Sequence, residues 1–296
     1  MSEDQIIVQV NPDVPPTGSD LGIVNAARKS FGKRSELEYY CPKSRETIDP
    51  NSFHREHRYK LAFYKQRLKD KDKRLLEFLA RGMTAENFST FVRNVPAPDT
   101  EEHAKELVEL LWQWRNTPTH DTPFNHGFFS FEVKAPIFVR AQLVKHEYLI
   151  MSEYSRRYIT DDIEVYEPDV WRGAAKDKKQ GSSGVVDLKK VKGWYDGYEG
   201  TVNSSDAIAI TMEGVVDLYQ HLLDTGVAPE QARMVLPQSL MTAWTWSGTL
   251  GAFAKMCQLR CHPEAQYESR LVANKVYEEL KKQFPVAAPL LVEGVL

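Results

Sequence analysis

The chain has 296 residues, of which 42% are hydrophobic and 27% charged, and its formal net charge is -3. This mild charge gives no broad basic surface for a nucleic acid polymer, and no apolar run of about 18 residues predicts a membrane span. With three cysteines and an acidic N-terminus that lacks a secretion signal, the composition predicts a cytoplasmic protein without a disulfide framework.

The first half of the chain predicts an arm followed by helices. Residues 1–20, rich in Pro and Asp, predict an extended N-terminal arm, and LGIVNAARKSFG predicts a short helix that ends at Gly32. Residues 33–60 show no clear period and predict a long loop or insertion. Two longer helices are expected, over KLAFYKQRLKDKDKRLLEFLARG and over DTEEHAKELVELLWQWRN, because of i,i+4 charge pairs and an acidic first turn respectively.

The second half mixes one clear strand with further helices. Alternation of Phe129, Phe131 and Val133 with polar residues predicts a strand up to Pro136, after which the spacing becomes helical. Residues 173–206 are rich in Gly, Ser and Lys and predict a surface loop insertion. AIAITMEGVVDLYQHLLDTG predicts a helix, followed by a Trp- and Thr-rich strand or turn and two more helices. This mixture predicts the α+β class.

The segment KHEYLIMSEYSRRY, residues 145–158, has the most suggestive polar pattern. If it continues the helix, four polar residues share one face: Gln142, His146, Glu153 and Arg157. One interpretation is a solvated surface helix with a weak Glu153–Arg157 ion pair. The other is the wall of an anion site, because Ser155 and Arg157 supply a hydroxyl and a guanidinium suited to phosphate.

Three residues elsewhere favour the anion site. His126 lies in a turn just before the predicted strand, where an imidazole can face a cleft and titrate near neutral pH. Arg233 and Arg260 both stand among apolar neighbours, and arginine is seldom buried without an anionic partner. We therefore expect Arg157, Arg233 and Arg260 to serve one anionic pocket.

A metal site is conceivable at Cys257, Cys261 and His262, since the two thiols would share a helix face. No fourth ligand is evident nearby, and soft-ligand sites normally show two spaced pairs. The pattern therefore favours core residues, and we predict no metal.

Taken in order, these segments resemble the flavin-dependent thymidylate synthases. The family signature Arg-His-Arg-x-x-Ser-x-Asn-Glu-x-Ser-x-Arg-Tyr is similar to KHEYLIMSEYSRRY, and five positions match: His146, Glu153, Ser155, Arg157 and Tyr158. Four positions depart: Lys145, Glu147, Ile150 and Ser152. Further similar blocks are AARKSFG, TPFNHGFFSFEVKAPIFVRAQ, ARMVLPQSLMTAWTW and LRCHPEAQYE. The resemblance implies one α+β domain over residues 1–296, with a central antiparallel sheet, flanking helices and long insertions.

The resemblance also implies an activity: C5 methylation of dUMP to dTMP, with FAD as cofactor and methylenetetrahydrofolate and NADPH as co-substrates. Catalytic roles fall on Arg260, which would offset negative charge on the uracil ring, and on His126 and Ser155. The implied substrate-binding positions are Gln142, Lys145, Glu153, Ser155, Arg157, Arg233 and Arg260. The implied flavin-contact positions are Lys145, His146, Glu147, Glu153, Thr249, Gly251 and Lys255. A homotetramer with shared active sites is implied, for which the blocks around Trp244 and Trp246 offer an interface.

The departures fall mainly on the flavin side. Lys145 and Glu147 stand where the family has arginines, and Gly251 falls within its Asn-x-Arg motif. A glutamate beside a diphosphate adds a like charge, which Lys255 would partly offset by pairing with Glu147 or meeting a phosphate. Two alternatives therefore stay open: another C5 modification, such as hydroxymethylation, and a nucleotide-binding protein that has lost the flavin. Retention of His126 and Arg260 favours an enzyme.

Overall fold

The structure is a computed structural model that describes residues 2–48, 63–80, 100–102, 105, 120–175, 181–195 and 198–293. The helix expected over residues 99–116 lies almost entirely outside the described residues. The chain divides into two compact units. The first unit comprises Met1–Val14, Ser130–Ser247 and Leu259–Val276, and the second comprises Pro15–Phe129, Gly248–Gln258 and Tyr277–Leu296. The single domain expected from the sequence stays a prediction.

Helices and strands alternate irregularly along the chain. The helices are α1 Ser2–Gln5, α2 Asp20–Lys29, α3 Asp70–Ala80, α4 Ile137–Leu143, α5 Ser204–Asp224, α6 Pro229–Ala232, α7 Leu250–Arg260, α8 Tyr267–Gln283 and α9 Ala287–Val292. The strands are β1 Ile7–Val10, β2 Glu38–Tyr40, β3 Thr47–Ile48, β4 Lys65–Arg67, β5 Phe128–Pro136, β6 Ile150–Glu153, β7 Arg172–Ala174, β8 Ser182–Val185, β9 Val191–Tyr195, β10 Tyr198–Val202 and β11 Met241–Thr249. This mixture confirms the α+β prediction.

A four-stranded sheet in the order β1-β5-β11-β6 forms the centre of the first unit. The β1–β5 and β11–β6 pairs are antiparallel, as expected. The period of two in β5 places Phe131 and Val133 in the core. In β11 the same alternation buries Trp244 and Trp246 completely. The two indole side chains therefore do not form the subunit interface expected around them, because both are buried in the core.

The N-terminal segment is more ordered than the extended arm predicted for residues 1–20. After α1, strand β1 pairs with β5 in a register that places Ile7 opposite Lys134. The Lys275 ammonium of α8 donates to the carbonyl of Glu3 over 3.1 Å and to that of Ile6. The prediction failed because β1 depends on a partner more than 120 residues away, which is invisible in four residues.

Residues 173–206 also contain regular structure, which corrects the expected loop insertion. Strands β7 and β8 pair with each other, and β9 pairs with β10. Helix α5 already begins at Ser204 and ends before Gly226, which has a φ of +88°. The Gly- and Lys-rich composition of the segment obscured these strands.

In the second unit, helix α2 confirms the predicted helix before Gly32. The Ser19 hydroxyl accepts from the Gly22 amide over 3.1 Å and caps its first turn, and Gly32 adopts the left-handed conformation with a φ of +61°. The helix predicted over residues 60–82 is shorter than expected, because β4 precedes α3. Residues 33–60, expected to be a loop, contain β2 and β3.

The core of the second unit is aromatic. Phe129 contacts Phe253 and Phe284 at ring-centroid distances of 6.4 and 5.7 Å. The Asp20 carboxylate accepts from the amides of Val286 and Ala287, each at 2.9 Å. This contact fixes the start of α9, because the first amides of a helix lack partners within the helix. Within the parts of the chain that the structure covers, no helix is both long and apolar enough to cross a membrane.

Candidate active site

The segment from residue 142 to residue 158 is not one helix. Helix α4 ends at Leu143, Tyr148 adopts a left-handed φ of +65°, and β6 pairs with β11 so that Glu153 lies opposite Trp244. A residue with a bulky side chain at positive φ interrupts a helix. The shared helical face predicted for Gln142, His146, Glu153 and Arg157 is therefore wrong.

Several apolar residues of this segment are exposed. The exposed fraction is 79% for Tyr148 and 70% for Ile150. Tyr154, Tyr158 and Met234 are also exposed. We call these five exposed side chains the apolar margin.

The side chain of Glu153 contacts other residues of the first unit. Its carboxylate contacts the Arg140 guanidinium of α4 at 2.6 Å and accepts from the Thr242 hydroxyl at 3.0 Å. The Glu153–Arg157 pair considered from the sequence does not form. Arg157 instead lies 4.0 Å from the Glu230 carboxylate.

Ser155, Arg157, Glu230 and Arg233 form what we call the Arg157 cluster. The Ser155 hydroxyl accepts from the Arg157 amide over 3.4 Å, and the Arg233 Nε donates to the Glu230 carbonyl over 3.4 Å. Both guanidinium groups are exposed, so the burial expected for Arg233 is wrong. Exposure leaves both cations able to bind an incoming anion.

Arg260, at the end of α7, donates from Nε to the imidazole Nε2 of His146 over 2.9 Å. Burial, together with the positive charge of Arg260, lowers the pKa of His146 to about 4. His146 is therefore neutral at physiological pH and accepts through Nε2. No described residue accepts a hydrogen bond from the Nη groups of Arg260.

Gln142 lies in a chain of hydrogen bonds that the sequence analysis missed. Its Oε1 accepts from the buried Ser269 hydroxyl over 2.9 Å, and its Nε2 donates to Gln266 Oε1. Gln266 Nε2 donates to Glu268 Oε2 over 3.1 Å, and Arg172 Nη1 donates to Glu268 Oε1 over 3.1 Å. Residues 266 and 268 fall in the block LRCHPEAQYE, so the resemblance contained a signal for them.

A cavity of about 1130 Å³ in the first unit is lined by Gln142, Arg172, Arg260, Gln266 and Glu268. Aromatic and aliphatic side chains complete its walls, among them Phe138, Tyr166, Trp171, Met212 and Tyr267. An apolar cavity with a few convergent polar groups is the usual form of a small-molecule site. We call it the Arg260 cavity.

Three predicted flavin-contact positions lie at the start of the signature, and of these only Lys145 is a cation. Lys145 and Glu147 are exposed, and neither forms an ion pair with a residue that the structure describes. His146 is occupied by Arg260. The Glu147 side chain is therefore exposed to solvent.

Two of the predicted flavin-contact positions in the second unit, Thr249 and Gly251, lie against Asn125. The Thr249 hydroxyl donates to Asn125 Oδ1 over 2.7 Å and accepts from the Ala252 amide over 3.2 Å. A Cβ at Gly251 would lie 2.7 Å from Asn125 Oδ1. Lys255 contacts Asp121 at 3.8 Å, and its expected pairing with Glu147 or a phosphate stays a prediction.

His126 ends a 3₁₀ turn, Thr122–His126, in the second unit. It lines a cavity of about 360 Å³ together with Ser19, Asn25 and Lys29. Cys257 is buried in α7, and among the described residues no group of three or more His, Cys, Asp or Glu could hold a metal ion.

Two solved structures share the fold of this chain. The UMP/dUMP methylase PolB from Streptomyces cacaoi bound with 5-Br dUMP superposes with a TM-score of 0.61 at 22% identity, covering 98% of this chain and 95% of that chain. The same protein bound with 5-Br UMP gives a TM-score of 0.59 over 96% of this chain and 92% of that chain, again at 22% identity. The chain therefore shares the overall fold of these two structures.

The chain belongs to the Thy1 family, described as thymidylate synthase complementing protein, whose model matches residues 15–286. A flavin-dependent thymidylate synthase from Thermus thermophilus is 36% identical over 193 residues, which are 64% of this chain and 64% of that relative. Another from Kosmotoga olearia is 34% identical over 189 residues, 63% of this chain and 75% of the relative. The resemblance found in the sequence is confirmed, and the match spans less than two thirds of the Thermus protein.

Proposed function

We propose that this protein is a flavin-dependent thymidylate synthase, which methylates dUMP at C5 to give dTMP with methylenetetrahydrofolate and NADPH as co-substrates. The observation that carries the proposal is the position of Arg260. Its guanidinium donates to the neutral His146, and it lines the Arg260 cavity together with Gln142. The family membership and the names of the Thermus and Kosmotoga relatives support the same activity.

The chemistry explains why an arginine is needed there. C5 of uracil becomes nucleophilic only when negative charge spreads onto the ring carbonyl oxygens, and a fixed guanidinium offsets that charge in the transition state. With its Nε bonded to His146, Arg260 is oriented before substrate arrives, and both Nη groups can donate to the ring. Gln142 adds an N–H donor from the same cavity wall.

The nucleotide phosphate would be bound by the Arg157 cluster, where a serine hydroxyl and two exposed guanidinium groups can surround a dianion. Among the described residues, no hydrogen bond or ion pair joins this cluster to the residues that line the Arg260 cavity. We infer that a second copy of the chain completes the site, as in the expected homotetramer with shared active sites. The apolar margin of Tyr148, Ile150, Tyr154, Tyr158 and Met234 supports such an association, because large exposed apolar patches mark protein interfaces.

The residues present fit FAD through separate point charges rather than paired arginines. Lys145 in the first unit is exposed, and Lys255 in the second is 56% exposed with a long contact to Asp121. Either ammonium group could meet a phosphate oxygen, and Glu147 adds a like charge two residues from Lys145. When bound, the reduced flavin would supply the hydride that completes the methyl group.

A second candidate function is another C5 modification, such as hydroxymethylation. It is favoured by the changed flavin side, where Asn125 occupies the space beside Gly251 and Glu147 replaces a cation. Both candidates use the same nucleotide face and differ only in what is attached to C5.

Turnover of dUMP by Arg260 variants tests the proposed function. Arg260→Ala removes the guanidinium and should abolish turnover while FAD stays bound, since Arg260 is not a flavin-contact position. Arg260→Lys keeps the charge without the bidentate geometry and should be strongly impaired. Lys282→Ala, an exposed surface change, is the control and should retain full activity. Unchanged turnover in Arg260→Ala would refute the role assigned to this residue.

A further inference from the structure

The hydrogen-bond chain from Glu268 to Gln142 has a fixed direction. A carboxylate can only accept, so the Gln266 amide must turn its Nε2 toward Glu268 and its Oε1 toward Gln142. Gln142 must then present Nε2 to Gln266, which leaves its Oε1 for the buried Ser269 hydroxyl. The orientation of Gln142 therefore follows from the acceptor-only carboxylate, independently of how either amide is drawn.

Because the hydrogen bonds run in this direction, N–H donors of Gln142 and Arg260 remain available in the wall of the Arg260 cavity. One of the two N–H groups on Gln142 Nε2 bonds Gln266, and no described residue accepts from the other. The Nη groups of Arg260 are also without a described acceptor. Donors that a bound ligand covers without offering an acceptor are costly, so this wall selects a ligand edge that carries oxygen acceptors.

Pyrimidines differ at this edge. Uracil carries a carbonyl oxygen at C4, whereas cytosine carries an amino group there, which is itself a donor. An amino group facing the Gln142 N–H and the Arg260 guanidinium would leave three donors without an acceptor. Two donors that face each other both lack a hydrogen-bond acceptor, and this penalty lets a site reject an otherwise isosteric ring.

We propose that Glu268 is a positioning residue that sets the polarity of the Gln142 amide and thereby makes the site select uracil over cytosine nucleotides. This proposal rests on the proposed function, since it assumes that a pyrimidine occupies the Arg260 cavity. Arg172 takes part by holding the other carboxylate oxygen, Glu268 Oε1, while its guanidinium lies 3.5 Å from the centroid of the Tyr267 ring.

Glu268→Gln gives a sharp test because Arg172 still requires an oxygen. The new amide would turn its Oε1 toward Arg172 and its Nε2 toward Gln266. Gln266 would then reverse, and Gln142 would reverse in turn, placing its oxygen where an N–H was. The relative affinity for dUMP over dCMP should fall by about ten- to a hundredfold, whereas a purely structural defect would weaken both nucleotides alike.

The measurement is the dissociation constant of each nucleotide, dUMP and dCMP, by calorimetry on the full-length protein with FAD added. Arg172→Lys is the matched control, because it retains a cation and the Glu268 carboxylate, and it should keep the dUMP preference. Gln266→Leu cuts the chain and should erase the preference without inverting it, which decides the matter if Glu268→Gln does not fold.

The outcomes separate the two proposals. If the wild-type protein binds neither nucleotide, the proposed function itself is wrong. If it prefers dUMP and the folded Glu268→Gln and Gln266→Leu variants keep the same preference, Glu268 does not set the polarity and only this inference is overturned. Equal wild-type affinities for dUMP and dCMP would also overturn it.

Discussion

Arg260 and His146 are joined by a 2.9 Å hydrogen bond in which a cationic guanidinium donates to a neutral imidazole. The two residues lie 114 positions apart in the sequence, on α7 and in the turn after α4. The bond uses Nε of the arginine, and no described residue accepts from its Nη groups. His146, which the resemblance predicts to be a flavin contact, is thus hydrogen-bonded to Arg260 in this structure.

The first prediction concerns the titration of His146. Burial and the charge of Arg260 lower its pKa from 6.5 to about 4, so its imidazole ¹⁵N signals should titrate near pH 4 and stay unchanged from pH 5 to pH 8. Arg260→Gln removes the neighbouring charge and should raise the midpoint. A wild-type midpoint near 6.5 would show that the imidazole is not held in this environment.

The second prediction is the consequence of that pKa for stability. The folded-state pKa lies below the unfolded value, so between pH 6.5 and about pH 4 the unfolded chain binds more protons. The free energy of unfolding should therefore decrease as the pH falls through this window. His146→Gln should remove this part of the slope in urea titrations at several pH values, and an unaltered slope would contradict it.

The third prediction compares two glutamates of the nucleotide region. Glu153→Gln breaks the half-buried contact with Arg140 and should lower the free energy of unfolding by about 1–3 kcal/mol. Glu230→Gln removes only the exposed 4.0 Å contact with Arg157 and should change it by less than about 0.5 kcal/mol. Urea denaturation measures both, and equal effects would mean that Glu153 is not structurally engaged.

The fourth prediction concerns the glycine next to His126. A Cβ at Gly127 would come within 3.0 Å of Phe284 Cε2 in the core of the second unit, so Gly127→Ala should destabilise the protein by about 1–3 kcal/mol. Phe284→Leu should relieve part of that loss in the double variant. The control is Gly214→Ala on α5, where nothing lies within 4 Å, and where alanine should be stabilising by about 0.5–1 kcal/mol.

The fifth prediction addresses the flavin. If the Lys145 ammonium binds the FAD diphosphate, FAD binding should weaken markedly with added salt. Glu147→Gln should tighten binding by about two- to fivefold by removing a like charge, and Lys145→Gln should weaken it by a similar factor. Fluorescence titration with FAD measures all three, and affinities that ignore both charge and salt would exclude these residues from the flavin site.

Sequence patterns predicted the elements that are defined locally. Strand β5 follows from the alternation of Phe129, Phe131 and Val133, and α2 follows from the segment LGIVNAARKSFG with its terminating Gly32. The strand β6 could not be predicted, because its identity depends on pairing with β11 almost a hundred residues later. Tyr148 at positive φ, which ends the helical pattern, has no distinctive sequence signal.

The residues of the candidate site were likewise predictable from the sequence only in part. The family signature pointed to Glu153, Ser155 and Arg157 as matched positions, and the similar block LRCHPEAQYE pointed to Arg260. The contacts that decide their chemistry are long-range: Arg140 for Glu153 and His146 for Arg260. No local pattern indicates that Asn125 fills the space beside Gly251, or that Glu268 orients Gln142.

The most direct measurement is the mass of the product formed from dUMP in the presence of the protein, FAD, methylenetetrahydrofolate and NADPH. We predict that a methyl group replaces the hydrogen at C5, giving dTMP, and that the product is absent with Arg260→Ala. A hydroxymethylated nucleotide would contradict thymidylate synthesis in favour of the second candidate function. Unchanged dUMP from FAD-loaded protein would contradict both.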